Sequence, residues 1–184
     1  MAETGVDICS KALLLIGANT ITSFKDETRE AEVCNSLYNT IKDSLLGNRL
    51  WSFSMEQMDL ARLQKKPLRD YMYMFQIPKN VLRIKRSASG AYDIFGDKVY
   101  SNSPTMSIDC QVSVDEDKMP PHFKKALISN ICRDLSVSLL GDREKFALFD
   151  GIMEKDLKTA RMIDMQNTKN KKYGSDSFFI TVVR

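Results

Sequence analysis

Histidine occurs once in this chain of 184 residues, at position 122, and tryptophan once, at position 51. A single imidazole cannot share metal ligation or proton relay with a second one, so a histidine-built zinc site or catalytic relay is not expected. There is no C-x-x-C pair. The four cysteines, Cys9, Cys34, Cys110 and Cys132, are far apart and each sits in an apolar pattern. They read as reduced, buried thiols of a protein made in a cytoplasm. No apolar run approaches about 18 residues, so no membrane span or anchor is expected. The start, MAETGVDICSK, has neither a basic opening nor a long apolar run and does not read as a signal peptide. A net charge of +3 is too small for a dedicated nucleic-acid binder. Phosphate loop, dinucleotide fingerprint and nucleophile elbow are all missing. Asp115, Glu116 and Asp117 are too clustered for a hydrolase pair that needs two separated carboxylates, and read as a solvated acidic turn. The expectation is a protein that is not an enzyme and takes no cofactor and no metal.

With 43% apolar and 28% charged residues, the chain has the composition of a soluble globular protein long enough to bury a core without disulfides or metal. Thr4 to Gly17 reads as a first helix, with capping-box spacing at Thr4 and Asp7, a stripe of Ile8, Cys9, Ala12, Leu13 and Ile16, and Gly17 at C′. Ile21 and Phe24 are expected to tuck beneath a helix pair. Asp26 is the expected N-cap of a second helix, with Cys34, Leu37, Tyr38, Ile41 and Leu45 on one face and Gly47-Asn48 as the stop. Trp51 and Phe53 follow at once as aromatic anchors.

From Trp51 to Val114 the character changes to short β signals. Residues 71–77 are aromatic-rich, Val81 to Lys85 is a short strand, and Tyr92–Phe95 and Lys98–Tyr100 flank Gly96-Asp97, a pair suited to a type II′ turn. Ile108, Cys110, Val112 and Val114 alternate with Ser107, Asp109, Gln111 and Ser113, which predicts a strand with one buried face. Met55, Met58, Met72 and Met74 fit either core filling or an adaptable contact surface. Met119-Pro120-Pro121 opens a third helix with Phe123, Leu127, Ile131, Leu135 and Leu139 buried. Asp142 caps a fourth, with a stripe of Phe146, Phe149, Met153, Leu157, Ala160 and Ile163, beyond which the helical signal fades.

The predicted fold is α+β and mainly α. A four-helix bundle (4–50 and 120–165) carries an inserted small antiparallel β-domain (51–118), a flexible tether and an extended C-terminal arm (166–184). In the arm, Phe178, Phe179, Ile180, Val182 and Val183 form a β-prone apolar run that would be an aggregation hazard if left in water. Two readings fit: an edge strand on the protein's own sheet, or an arm that docks on a neighbouring subunit or partner by strand addition.

Four stretches carry a family resemblance: ICSKALLLIGANTITSF, EAEVCNSLYNTIKDSLLGNRLWSFS, FQIPKNVLRI and DEDKMPPHFKKALISNICRDLSVSLLGD. In order and spacing, over roughly residues 6–163, they resemble the tail tubular protein A family of short-tailed bacteriophages, which are head-to-tail adaptors. The landmarks are the G-A-N-T-I turn, Ala31, Cys34 and Tyr38 on one helix, Leu45-Leu46 before Trp51-x-Phe53, the Ile77-Pro78 step and the Met119-Pro120 helix start. The resemblance implies a virion structural protein, made in the host bacterial cytoplasm, forming a homo-oligomeric ring of about twelve copies. Its partners would be the portal protein above and the tail nozzle, tail tubular protein B, below, with transient contact to double-stranded DNA in the lumen. On this reading Phe178–Val183 is the portal-docking arm. The hairpin of Tyr92, Gly96, Asp97 and Tyr100 faces the nozzle, and Trp51 and Phe53 hold the junction between helices and β-domain. Ile128, Cys132 and Val137, beside the main face of the third helix, are candidates for lateral contacts between copies.

Two other classes compete. A tail-associated cell-wall hydrolase needs two carboxylates facing one cleft. A DNA-binding module needs a basic stripe with interleaved aromatics, for which Lys65, Lys66, Arg69, Tyr71 and Tyr73, or Lys169 to Tyr173, come nearest.

Overall fold

The computed structural model describes residues 3–87 and 91–167, so the Phe178–Val183 arm and most of its tether lie outside the described residues. The first helix, α1 (Gly5–Ile16), forms on local signals. Asp7 N donates to the Thr4 hydroxyl at 3.3 Å, Thr4 N donates back to the Asp7 carboxylate at 2.8 Å, and Gly17 closes the helix at φ +80°. Ile8, Cys9, Ala12, Leu13 and Ile16 face inward.

The second helix, α2 (Arg29–Gly47), begins later than the expected cap at Asp26. Thr28 is the N-cap, its hydroxyl accepting from Ala31 N at 3.3 Å. Asp26 instead closes the preceding turn, accepting from Thr22 N at 2.8 Å and Ser23 N at 3.0 Å. Those two backbone donors hold its carboxyl below the usual carboxylate range. The Asp26 side chain is turned back onto the preceding turn, and Thr28, next to the first helical residue, does the capping.

Tyr38 on α2 is buried against α1. A Cβ placed on Gly5 would sit 2.8 Å from the Tyr38 ring. The ring cannot swing aside, because its hydroxyl donates to Glu116 at 2.7 Å and Phe24 packs beside it at 5.7 Å. Gly5→Ala is therefore expected to destabilise the fold by about 1–3 kcal/mol, the cost of overpacking, measured by urea denaturation. Glu116, expected in a solvated turn, is in fact part of the core rim. Burial works to raise its pKa, but the Tyr38 hydroxyl and the Lys42 ammonium at 3.3 Å outweigh it, so the carboxyl titrates below its ordinary value of 4.5. Its contribution to stability is present above that value and fades as pH falls through the depressed folded pKa.

Among the described residues seven strands follow, in two small antiparallel sheets rather than the single sheet expected. The first joins β1 (Met55–Asp59), β7 (Ser107–Val112) and β4 (Val81–Ser87) in the order β1-β7-β4. The second joins β2 (Ala61–Arg62), β3 (Tyr73–Gln76), β6 (Lys98–Ser101) and β5 (Tyr92–Phe95) in the order β2-β3-β6-β5. Pro78 and Pro104 fall in the links between the sheets, where a missing N–H would interrupt a ladder. Leu60 is the third corner. It is buried, its N–H donates to Met106 O at 2.8 Å, and the strand passes from one sheet to the other across it.

Two helices complete the described residues. In α3 (Pro121–Ser138), Phe123, Leu127, Ile131 and Leu135 are buried as the spacing predicts. Cys132, read as a lateral contact, is also fully buried, with its thiol 3.5 Å from Ala12 O. The reason is that α3 packs against α1, α2 and α4 at once, so more than one of its faces is covered. The last helix, α4 (Arg143–Asn167), is capped by Asp142, which accepts from Glu144 N at 3.0 Å and Lys145 N at 2.9 Å. It runs past Ile163, where the apolar stripe ends, because Asp164 supplies a polar continuation of the buried face.

Candidate interaction site

Between α2 and β1 the chain turns through Asn48–Ser54. Asn48 keeps a right-handed conformation (φ −63°), so no left-handed cap ends α2. Its last carbonyls are satisfied by side chains from elsewhere. The Trp51 indole N–H donates to Leu45 O at 3.0 Å, and the Gln111 amide donates to Leu46 O at 2.7 Å and to Arg49 O at 2.7 Å. Trp51 is fully buried and meets Phe123 edge-on at 5.0 Å, while Phe53 lies 4.9 Å from the same ring. The aromatic cluster thus joins the end of α2, the start of α3 and the lead into β1.

Two polar residues complete this junction, and the alternation and stripe patterns missed both. Gln111 occupies the expected solvent face of β7 but is completely buried, because the turn after α2 lies over that face. Its Nε2 is also 3.0 Å from the Ser54 hydroxyl. Asp164 of α4 accepts from Ser52 N at 3.0 Å and from the Ser52 hydroxyl at 2.5 Å, with Arg49 Nε at 3.9 Å. A lone Gln in an apolar alternation, and an Asp at stripe spacing after Ala160, were the available signals.

The hairpin of β5 and β6 has a two-residue turn, with Phe95 opposite Lys98 and Gly96 at φ +62°. Asp97 is not at positive φ, which is the pattern of a II′ turn. Gln76 and then Lys98 hydrogen-bond the Asp97 carboxylate and hold it below the usual range. Tyr100 packs on Phe95 at 5.2 Å and on Tyr71 at 6.3 Å, and Tyr71 donates to Asp93. Tyr92 is partly buried. Of the four methionines singled out, Met74 is buried, Met55 and Met58 are half-buried, and Met72 is exposed.

The four cysteines are buried and free. The neighbouring Cys34 thiol and burial push the Cys9 thiol up, and burial pushes Cys132 up to about 12. The Nε2 of His122 is buried without a hydrogen-bond partner among the described residues. Among the described residues no three His, Cys, Asp or Glu side chains stand together as a metal-binding group, and no helix is long and apolar enough to cross a membrane.

The exposed apolar side chains fall at two places on the helices. Leu14 and Leu15 end α1, Val137 lies in the last turn of α3 with Leu140 just beyond it, and Phe146 and Leu148 begin α4. Lys145 Nζ donates to Ile16 O at 2.9 Å, which brings these three helix ends together. Leu14 is 69% exposed and Leu148 60%. Met162 and Met165 form the second place, also on α4, about 20 Å further along at 1.5 Å per residue. No protein-family model matches the chain, and no curated protein matches it.

Proposed function

We propose that the chain is a head-to-tail adaptor of a short-tailed bacteriophage virion, an assembly protein and not an enzyme. In this reading the helices form the bundle, copies stand side by side in a closed ring of about twelve, and the β-strands form an insert facing the tail. The ring joins the portal protein to the tail nozzle and lines the channel through which double-stranded DNA leaves. The protein is made in the host cytoplasm and ends in the neck of the virion.

One observation carries the reading beyond the sequence resemblance. A head-to-tail ring needs two different surfaces on each copy, one to meet the next subunit and one to be met. The helices expose apolar side chains at two separated places, the Leu14–Leu148 end and the Met162–Met165 stretch. Scattered single apolar residues need no partner, but large ones gathered at one end mark a contact surface. In the same reading, Phe178–Val183 grips the portal and the Tyr92–Tyr100 hairpin meets the nozzle.

The test is electron microscopy of the purified chain mixed with portal rings. The expected image is an added ring beneath the portal, absent for the chain lacking residues 176–184 and impaired by Leu148→Glu. Portal rings that stay bare with the intact chain would overturn the proposal. Normal attachment of the truncated chain would remove the arm from it.

A further inference from the structure

A groove of about 540 Å³ opens between the two sheets. It lies within the roughly 300–1,000 Å³ of pockets that enclose a drug-sized ligand, and so has room for the alternate side chains of a short strand. Ile77, Leu82, Ile84 and Ile94 supply an apolar lining, with Lys79 and Arg83 among the polar groups beside it. Val81 to Ile84 of β4 and Ile94 of β5 line it, and each of these strands is the outer one of its sheet. The two edges differ. The pairing of β4 with β7 shifts register between Val81 and Arg83 and again between Ile84 and Arg86, and bulges of this kind blunt an edge against further pairing. The pairing of β5 with β6 is regular from Tyr92 to Phe95. In a hairpin closed by a two-residue turn, the residues next to the turn exchange hydrogen bonds and the pattern alternates from there. Phe95 and Asp93 therefore bond inward to β6, and the N–H and C=O groups of Tyr92 and Ile94 point to the open edge. Ile94 is 47% exposed there and Phe95 59%.

We propose that, in the free subunit, residues Phe178–Val183 of the same chain lie in this groove as an additional strand on the open edge of β5. Reach permits it. The described chain ends three residues after Asp164, which is hydrogen-bonded to Ser52. Ser54 touches Gln111, and Gln111 stands opposite Arg83 in β4. These contacts lead from the end of α4 to β4, whose residues line one side of the groove. The ten polar residues 168–177 span up to about 33–36 Å when extended. Composition fits as well. Phe178, Ile180 and Val182 share one face of a strand and Phe179, Thr181 and Val183 the other, so one set can enter the groove. Pairing there gives the β-prone run hydrogen-bond partners and shields it from water, which removes the hazard it would otherwise present. This inference does not depend on the portal reading. If that reading also holds, the strand leaves the groove when it docks.

Amide hydrogen exchange on the full chain, against the same chain ended at Gly174, tests it. Tyr92 and Ile94 N–H are expected to exchange at least about tenfold more slowly in the full chain. A synthetic peptide of residues 175–184 added to the truncated chain should restore the protection, and Ile94→Lys in the full chain should abolish it at Tyr92. Equal exchange in the full and truncated chains overturns the proposal. Protection that appears only with rising protein concentration and dimer formation assigns the strand to a second copy and overturns the same-chain placement.

Discussion

Trp51→Ala is expected to lower the unfolding free energy by about 3–5 kcal/mol, the range for deleting a buried large aromatic side chain. The indole is fully buried and packs edge-on against Phe123. Removing it leaves a cavity that the surrounding elements cannot easily close, since Phe53 and Phe123 are already in contact on one side. It also leaves Leu45 O, an end carbonyl of α2, without its donor. Trp51→Phe separates the two effects, because it keeps most of the packing and loses the N–H. Its expected cost is about 1–2 kcal/mol. Urea unfolding of the three proteins checks the order. A loss below about 1 kcal/mol for Trp51→Ala would show that the junction closes over the gap. At temperatures where the variant stays folded, the proposed role predicts weaker ring formation on the portal, because Trp51 sets how the β-strands sit on the helices.

The second large effect is expected at Asp164. Asp164→Ala should cost about 1–3 kcal/mol, since it removes two hydrogen bonds that a buried carboxylate accepts from Ser52 and the counter-charge of Arg49. Asp164→Asn keeps an acceptor for Ser52 N–H and should cost roughly half as much. The same pair of variants shows what holds the end of α4. Exchange of the amides from Met162 to Asn167 should rise by about tenfold in Asp164→Ala and much less in Asp164→Asn. Stability of both variants equal to that of the parent would remove Asp164 as a structural tie. Because Trp51 and Ser52 are adjacent, the Trp51 and Asp164 substitutions should be non-additive by about 0.5 kcal/mol or more.

Much of the chain announces its local structure. The capping box at Thr4 and Asp7, the left-handed glycine after α1, the Asp142 cap and the Gly96-Asp97 turn each depend on groups within a few residues of one another, so spacing alone identifies them. The buried faces of α1 and α3 are equally plain, because an amphipathic period shows which side avoids water. The cap of α2 was harder. Asp26 and Thr28 are both good capping residues, and the difference between them is that Asp26 is bonded to the turn at Thr22–Ser23.

The junction beneath Trp51 belongs to a different category. Met55–Asp59 is rich in Met and charge and has little intrinsic β preference, yet it is a strand because β7 offers it a ladder. Gln111 sits where alternation predicts a solvent-facing residue, and becomes buried only because the turn after α2 is folded over it. Asp164 reaches a partner 112 positions away in the chain. A burial pattern records a residue's tendency to avoid water. It carries no information about which distant backbone groups will need a donor or acceptor once helices and strands are brought together. Residues 4–17 therefore take the structure their own spacing requires, while the tie among Trp51, Gln111 and Asp164 exists only where α2, β7 and α4 meet and the end carbonyls of α2 lie buried.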